Sequence, residues 1–190
     1  MVTTLASNLT FEDYLNYDDS TGFHYELVDG KLELMNPPTV EHFLIVDFLD
    51  TVLKAEIKRL TLPWLCLRET GLRTSINKSR LTDLCVVSRD QARELMNVSA
   101  VFQSPPIMIV EVVSPESVKR DYRYKRSEYA ALEVSEYWIV DPIEAKITVL
   151  VLEEGLYEQT VFTDKEQIAS SIFPELIVTP EQVFQAGKLS

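Results

Sequence analysis

Ile107-Met-Ile-Val-Glu-Val-Val-Ser114 decides the reading of this chain. A strand through these residues is apolar on both faces, except at Glu111. Such a strand sits centrally in a sheet that is covered on both sides. Pro115 ends it, and a helix follows from about Ser117 to Leu132. Strands recur at Glu136 to Val140, Lys146 to Glu153 and Leu156 to Phe162, and Thr179-Pro180-Glu181 opens a last short helix.

Upstream, Thr10 and Asp13 can cap a short helix from Phe11 to about Asn16. Tyr25 to Leu34 reads as a hairpin, because Asp29-Gly30 supplies the positive φ angles of a two-residue turn. That register puts Tyr25, Leu27, Leu32 and Leu34 on one face. Glu26 and Glu33 then stand opposite each other, a repulsive pair that calls for a partner elsewhere. Pro37-Pro38 breaks the strand. Thr39 to Leu60 reads as a long helix with apolar residues at Val40, Phe43, Leu44, Phe48, Leu49, Val52, Leu53, Ile57 and Leu60. Short strands at Trp64 to Arg68, Leu72 to Ile76 and Thr82 to Ser88 precede a short helix over Arg89 to Met96. The pattern predicts an α/β fold: a mixed central sheet flanked by helices.

At 190 residues the chain is expected to form a single domain, 1–190. Its 46% hydrophobic and 25% charged residues exclude a disordered chain. Cys66 and Cys85 lack a Cys or His neighbour at zinc-ligand spacing and read as reduced core thiols. The first residues, MVTTLASNLTFEDYL, have no basic start followed by an apolar stretch, and no apolar run is long enough to span a bilayer. A cytoplasmic protein without membrane contact is expected. The net charge of −12 excludes broad non-specific nucleic-acid binding and leaves room only for a local basic patch or bound metal ions.

Three residues break the apolar pattern where chemistry could sit. Glu111 lies mid-strand between buried faces, where an ionised carboxylate costs several kcal/mol unless paired or metal-bound; the alternative is a strand end facing solvent. On the following helix, Val118, Tyr122, Lys125, Tyr129 and Leu132 form the inward stripe, while Lys119, Arg120, Arg123 and Arg126 fall off it. A core-facing Lys125 meets a carboxylate or an anionic ligand; the alternative is a lysine that snorkels to water. Asp83 opens the strand Thr82-Asp-Leu-Cys-Val-Val-Ser88 and alone is an ordinary turn residue. Together, two carboxylates on adjacent strands and a lysine suit a Mg²⁺ site for phosphodiester hydrolysis. Asp121 lies one turn before Lys125, where it could hold the lysine charged and oriented; the alternative, a simple intrahelical pair, is slightly favoured. His42, near the start of the long helix, is placed where it could face the site, but a lone His is more often a surface or core-edge residue, and His42 reads as one.

Several stretches carry a resemblance: Tyr25-Glu-Leu-Val-Asp-Gly30, Thr82-Asp-Leu-Cys-Val-Val87, Ile109-Val-Glu-Val-Val-Ser-Pro115, Asp121-Tyr-Arg-Tyr-Lys125 with Tyr129, and Glu136-Tyr-Trp-Ile-Val-Asp-Pro142. In order and spacing, from about residue 10 to 185, the chain resembles the Uma-two family of endonucleases, in the PD-(D/E)XK superfamily. The resemblance implies a restriction-endonuclease-like core and a Mg²⁺- or Mn²⁺-dependent endonuclease acting on nucleic acid, DNA above all. It makes Asp83 and Glu111 the metal ligands and Asp83, Glu111 and Lys125 the catalytic set, with Glu26 as a further candidate; Asp121 is a further candidate by its spacing from Lys125. The chain departs from the motif at Thr82, where Pro is usual, and at Val113, where the motif has Lys; the family draws its lysine from the next helix, here Lys125. Cutting both strands of a duplex would suit a homodimer. The rival is a non-catalytic module that kept the fold for protein interaction or regulation, which the acidic charge favours. A metal-free two-carboxylate hydrolase leaves Lys125 unexplained.

Overall fold

In a computed structural model, residues 8–189 are described. The expectation that the chain starts without a leader rests mainly on residues outside that range. Thr10 and Asp13 form a reciprocal capping box that starts α1 (Phe11–Leu15). Strands β1 (Tyr25–Val28) and β2 (Lys31–Leu34) pair in the expected register, Tyr25 with Leu34 and Glu26 with Glu33. Asp29 and Gly30 take φ of 50° and 73°, as a two-residue turn between twisted strands requires.

Helix α2 (Val40–Arg59) is capped by the Thr39 side chain and buries Ile45, Val46, Leu49, Leu53 and Ile57. The apolar stripe starts later than the sequence suggested: Val40 and Phe43 are exposed, and Phe43 lines a cavity instead of the core. β3 (Trp64–Ser75) runs unbroken through both short strands expected there, because Thr70 and Gly71 continue the pairing with β4 (Lys78–Ser88). After α3 (Arg89–Glu94), a strand that the sequence did not reveal, β5 (Val101–Phe102), runs parallel to β3. Gly71 permits it, since a Cβ there would stand 2.7 Å from the Val101 side chain.

β6 (Met108–Val112) is buried at every residue, between antiparallel β4 and parallel β7 (Glu136–Asp141). β8 (Lys146–Glu153) and β9 (Leu156–Thr163) complete the path β2-β1-β4-β6-β7-β8-β9. Met108, Val110 and Val112 pack in the core shared with α2, and α5 (Pro180–Ala186) adds Val183 there. Ile109 and Val113 face the opposite core, which contains Tyr129 of α4 (Arg126–Ala131). A mixed sheet flanked by helices is thus the architecture.

The segment before α4, Arg120–Lys125, is π-wound. Its inward residues are Ser117, Asp121, Lys125 and Tyr129, an unbroken spacing of four. The expected stripe through Val118 fails, and Val118 is exposed, because the wider turn shifts the buried line by one residue. Cys66 and Cys85 are buried and free, and burial raises both thiol pKa values, Cys85 to about 11. Among the described residues no helix is long and apolar enough to cross a membrane.

Candidate active site

Leu84 pairs with Val110, so the next residues in register, Asp83 and Glu111, come opposite each other where β4 and β6 part. The gap is bridged by the Asp83 carboxylate, whose Oδ2 accepts from the Val112 N–H at 2.7 Å. Its Oδ1 lies 3.1 Å from His42 Nε2, on α2. Opposite Asp83 on β3, Glu69 takes φ of 51°, a strained angle for a residue with a Cβ, and makes no ladder pair.

From the other face, Lys125 comes down on Glu111. Its Nζ is 2.8 Å from Glu111 Oε1, donates to the Leu81 carbonyl at 2.9 Å, and lies 3.7 Å from Glu26 and 3.8 Å from Asp121. The Tyr129 hydroxyl donates to the same Glu111 Oε1 at 2.7 Å. Among the described residues Glu111 Oε2 takes no hydrogen bond. Glu26, Asp83, Glu111, Asp121 and Lys125 all line one cavity of about 730 Å³, whose mouth carries the exposed Phe23, Phe43 and Ile143. The five candidates read from the sequence are therefore brought together.

Electrostatics separates their roles. Burial pushes the Glu111 carboxyl up to about 8; the Lys125 charge pulls it back, and Asp83 and Asp121 add to the rise. Burial also raises Asp121, against the pull of Lys125 and a hydrogen bond from Ser117. For Asp83, burial is outweighed by His42, Lys125 and the Val112 N–H, so its pKa is lowered. Lys125 is buried, yet the carboxylates of Glu111, Glu26 and Asp121 hold its pKa above the usual value. Burial opposes charging of His42, and Asp83 more than compensates, raising its pKa.

A divalent cation can be tested against this donor set. Among the described residues no group of three or more His, Cys, Asp and Glu is arranged to hold a metal ion. Asp83 and Glu111 are hard oxygen donors; both oxygens of Asp83 already have hydrogen-bond partners, while Glu111 Oε2 is unengaged. That fits Mg²⁺, which takes one or two protein carboxylates and fills its shell with water and phosphate oxygens.

The family described as "Uma2: Putative restriction endonuclease" matches residues 11–181. The chain belongs to the Uma2 family. A putative nuclease belonging to DUF820 from Anabaena variabilis, solved by crystallography, has a similar structure: TM-score 0.79 at 18% identity, over 95% of this chain and 99% of that one. The type IIG restriction endonuclease BpuSI aligns over 80% of this chain and 17% of its own, with 12% identity and a TM-score of 0.41. No curated protein matches the chain. The fold is thus the α/β, restriction-endonuclease-like one.

In this Uma2 chain the surroundings of the five candidates include residues that sequence reasoning missed. Arg80, 3% exposed, binds Glu26 through Nη1 at 2.9 Å and grips Glu128 with Nε and Nη2. It is the partner that the Glu26–Glu33 repulsion called for, and with Lys125 it lowers the Glu26 pKa despite burial. His42, read as a lone edge residue, is the hydrogen-bond partner of Asp83. The one local signal for Arg80 was that repulsion, which could not say which cation answers it. For His42 the signal was its place near the start of the long helix, which did not point to Asp83.

Proposed function

We propose that this Uma2 member is a divalent-cation-dependent endonuclease that hydrolyses phosphodiester bonds of nucleic acid, DNA in the first instance. The contact of Lys125 Nζ with Glu111 Oε1 at 2.8 Å, on the wall of an open cavity that Asp83 also lines, carries the reading. Asp83 and Glu111 are the ligands we assign to Mg²⁺ or Mn²⁺, and Glu111 would enter through Oε2. The chemistry such a cation supplies is Lewis acidity toward the phosphoryl group and acidification of a water.

The chain's own residues do the rest. Glu111 would hold the cation in its deprotonated form, its proton released to solvent. Lys125 keeps its charge because Glu26 and Asp121 remain beside it. Its ammonium can then orient a water or neutralise charge that builds on a phosphoryl oxygen. Glu26 and Asp121 are positioning residues, and His42 holds one oxygen of Asp83. A homodimer is the assembly that would suit two-strand cleavage.

The net charge of −12 favours the rival, a non-catalytic module on the same fold. The test is cleavage of labelled single-stranded and duplex oligonucleotides with Mg²⁺ and with Mn²⁺. The nuclease reading expects cleavage that EDTA abolishes. No cleavage of any of these substrates with either metal contradicts it and favours the module.

A further inference from the structure

Among the charged side chains that line the cavity, Asp and Glu outnumber Lys and Arg seven to two, so the charge of an entering phosphodiester needs an answer. Two basic side chains of the Lys/Arg type line the cavity, Lys125 and Arg120. Lys125 is already partly engaged, by Glu111 and the Leu81 carbonyl. Arg120 is not: among the described residues no hydrogen bond reaches its guanidinium, its Nε–H is buried without a partner, and Asp121, its salt-bridge neighbour, stays 3.9 Å away. Five N–H donors in a fixed fork are thus held at the cavity wall.

The π winding explains how Arg120 got there. In an α-helix, at roughly 3.6 residues per turn, Arg120 would point about 140° away from Lys125. Hydrogen bonds from i to i+5 bring residues five apart onto one side. Arg120 opens the π segment and Lys125 closes it. Arg123, on the same segment, is exposed and does not line the cavity.

Resting on the nuclease reading above, we propose that Arg120 is the phosphate-binding residue of the cavity: its guanidinium fork takes non-bridging oxygens of a phosphodiester beside Lys125. Guanidinium matches phosphate geometry in a bidentate way that an ammonium cannot. The planar fork also makes the contact sensitive to replacement by lysine.

The experiment is fluorescence anisotropy with a fluorescein-labelled DNA oligonucleotide, single-stranded and duplex, with Ca²⁺ in place of Mg²⁺ so that binding is read without turnover. Arg120→Gln should weaken binding roughly tenfold to a hundredfold, the worth of one charge-assisted hydrogen-bonded contact. It should also flatten the salt dependence by about one unit of slope. Arg120→Lys should recover part of the loss, and Arg123→Gln should stay within about twofold of the parent. Thermal melts of the three variants should match the parent, which separates a binding role from a structural one. If the parent binds and Arg120→Gln binds equally well, or if Arg123→Gln loses as much as Arg120→Gln, the proposal falls while the nuclease reading stands. If the parent binds neither oligonucleotide, the nuclease reading itself falls and takes this role for Arg120 with it.

Discussion

Two buried glutamates on neighbouring strands meet opposite fates. Glu136 on β7 is 0% exposed and Glu111 on β6 is 2% exposed. Glu136 is saturated by neutral donors: Trp138 Nε1 and the Ser170 hydroxyl on one oxygen, and the Ser171 N–H, Ser171 hydroxyl and Ile172 N–H on the other. Glu111 has Lys125 and Tyr129 on one oxygen, an unengaged second oxygen, and a cavity in front of it. A carboxylate closed in by N–H and O–H groups ties strand to loop. A carboxylate that shares a cation and keeps an oxygen open beside a cavity leaves a donor that the nuclease reading assigns to a metal.

The widest separation between the two should appear in stability. Glu136→Ala strands five donors, two of them backbone, and should cost about 3 kcal/mol or more. Urea unfolding measures it, and an unchanged midpoint would break the comparison from the Glu136 side. Glu111→Gln should stay within about 1 kcal/mol of the parent. Burial raises the Glu111 pKa to about 8, which favours its neutral form over the usual carboxylate, and glutamine can still accept from Tyr129.

Lys125→Met should lower cleavage roughly a hundredfold or more if the ammonium neutralises transition-state charge. The protein should also lose about 3 kcal/mol, because Glu26 and Asp121 lose a buried counter-charge. Oligonucleotide cleavage below the variant's melting range, together with urea midpoints, separates the two effects. Equal cleavage by parent and variant would remove Lys125 from the chemistry.

The contrast was only half visible in the sequence. Glu111 stood out because it interrupts an apolar run, and Lys125 because helical spacing turned it inward. Glu136 opens its strand and looked like part of a structural block, although four of its five donors come from Ser170, Ser171 and Ile172, far along the chain. The hairpin, the long helix and the central strand were legible because turn chemistry and periodicity are local. The His42–Asp83 contact, the Arg80 grip on Glu26 and Glu128, and strand β5 depend on long-range packing. The π winding that carries Arg120 into the cavity leaves the residue types unchanged and alters only their angles, so a stripe drawn at the α period put Arg120 outside.

A smaller effect should appear with pH. The folded-state pKa of Glu111 is raised from 4.5 to about 8, so between those values the folded protein holds a proton that the unfolded chain has released. This group's contribution to stability is therefore full below about 4.5 and is lost as pH rises toward 8. Melting curves of the metal-free protein from pH 5 to 8 should fall more steeply for the parent than for Glu111→Gln. Identical slopes would contradict the raised pKa.

Whether Asp83 and Glu111 share a cation decides the nuclease reading. Calorimetric titration with Mn²⁺ of the parent, Asp83→Asn and Glu111→Gln measures this directly. Binding in the parent that is lost in both variants, with all three proteins folded, is the predicted result. Unchanged affinity in both variants would contradict a shared site.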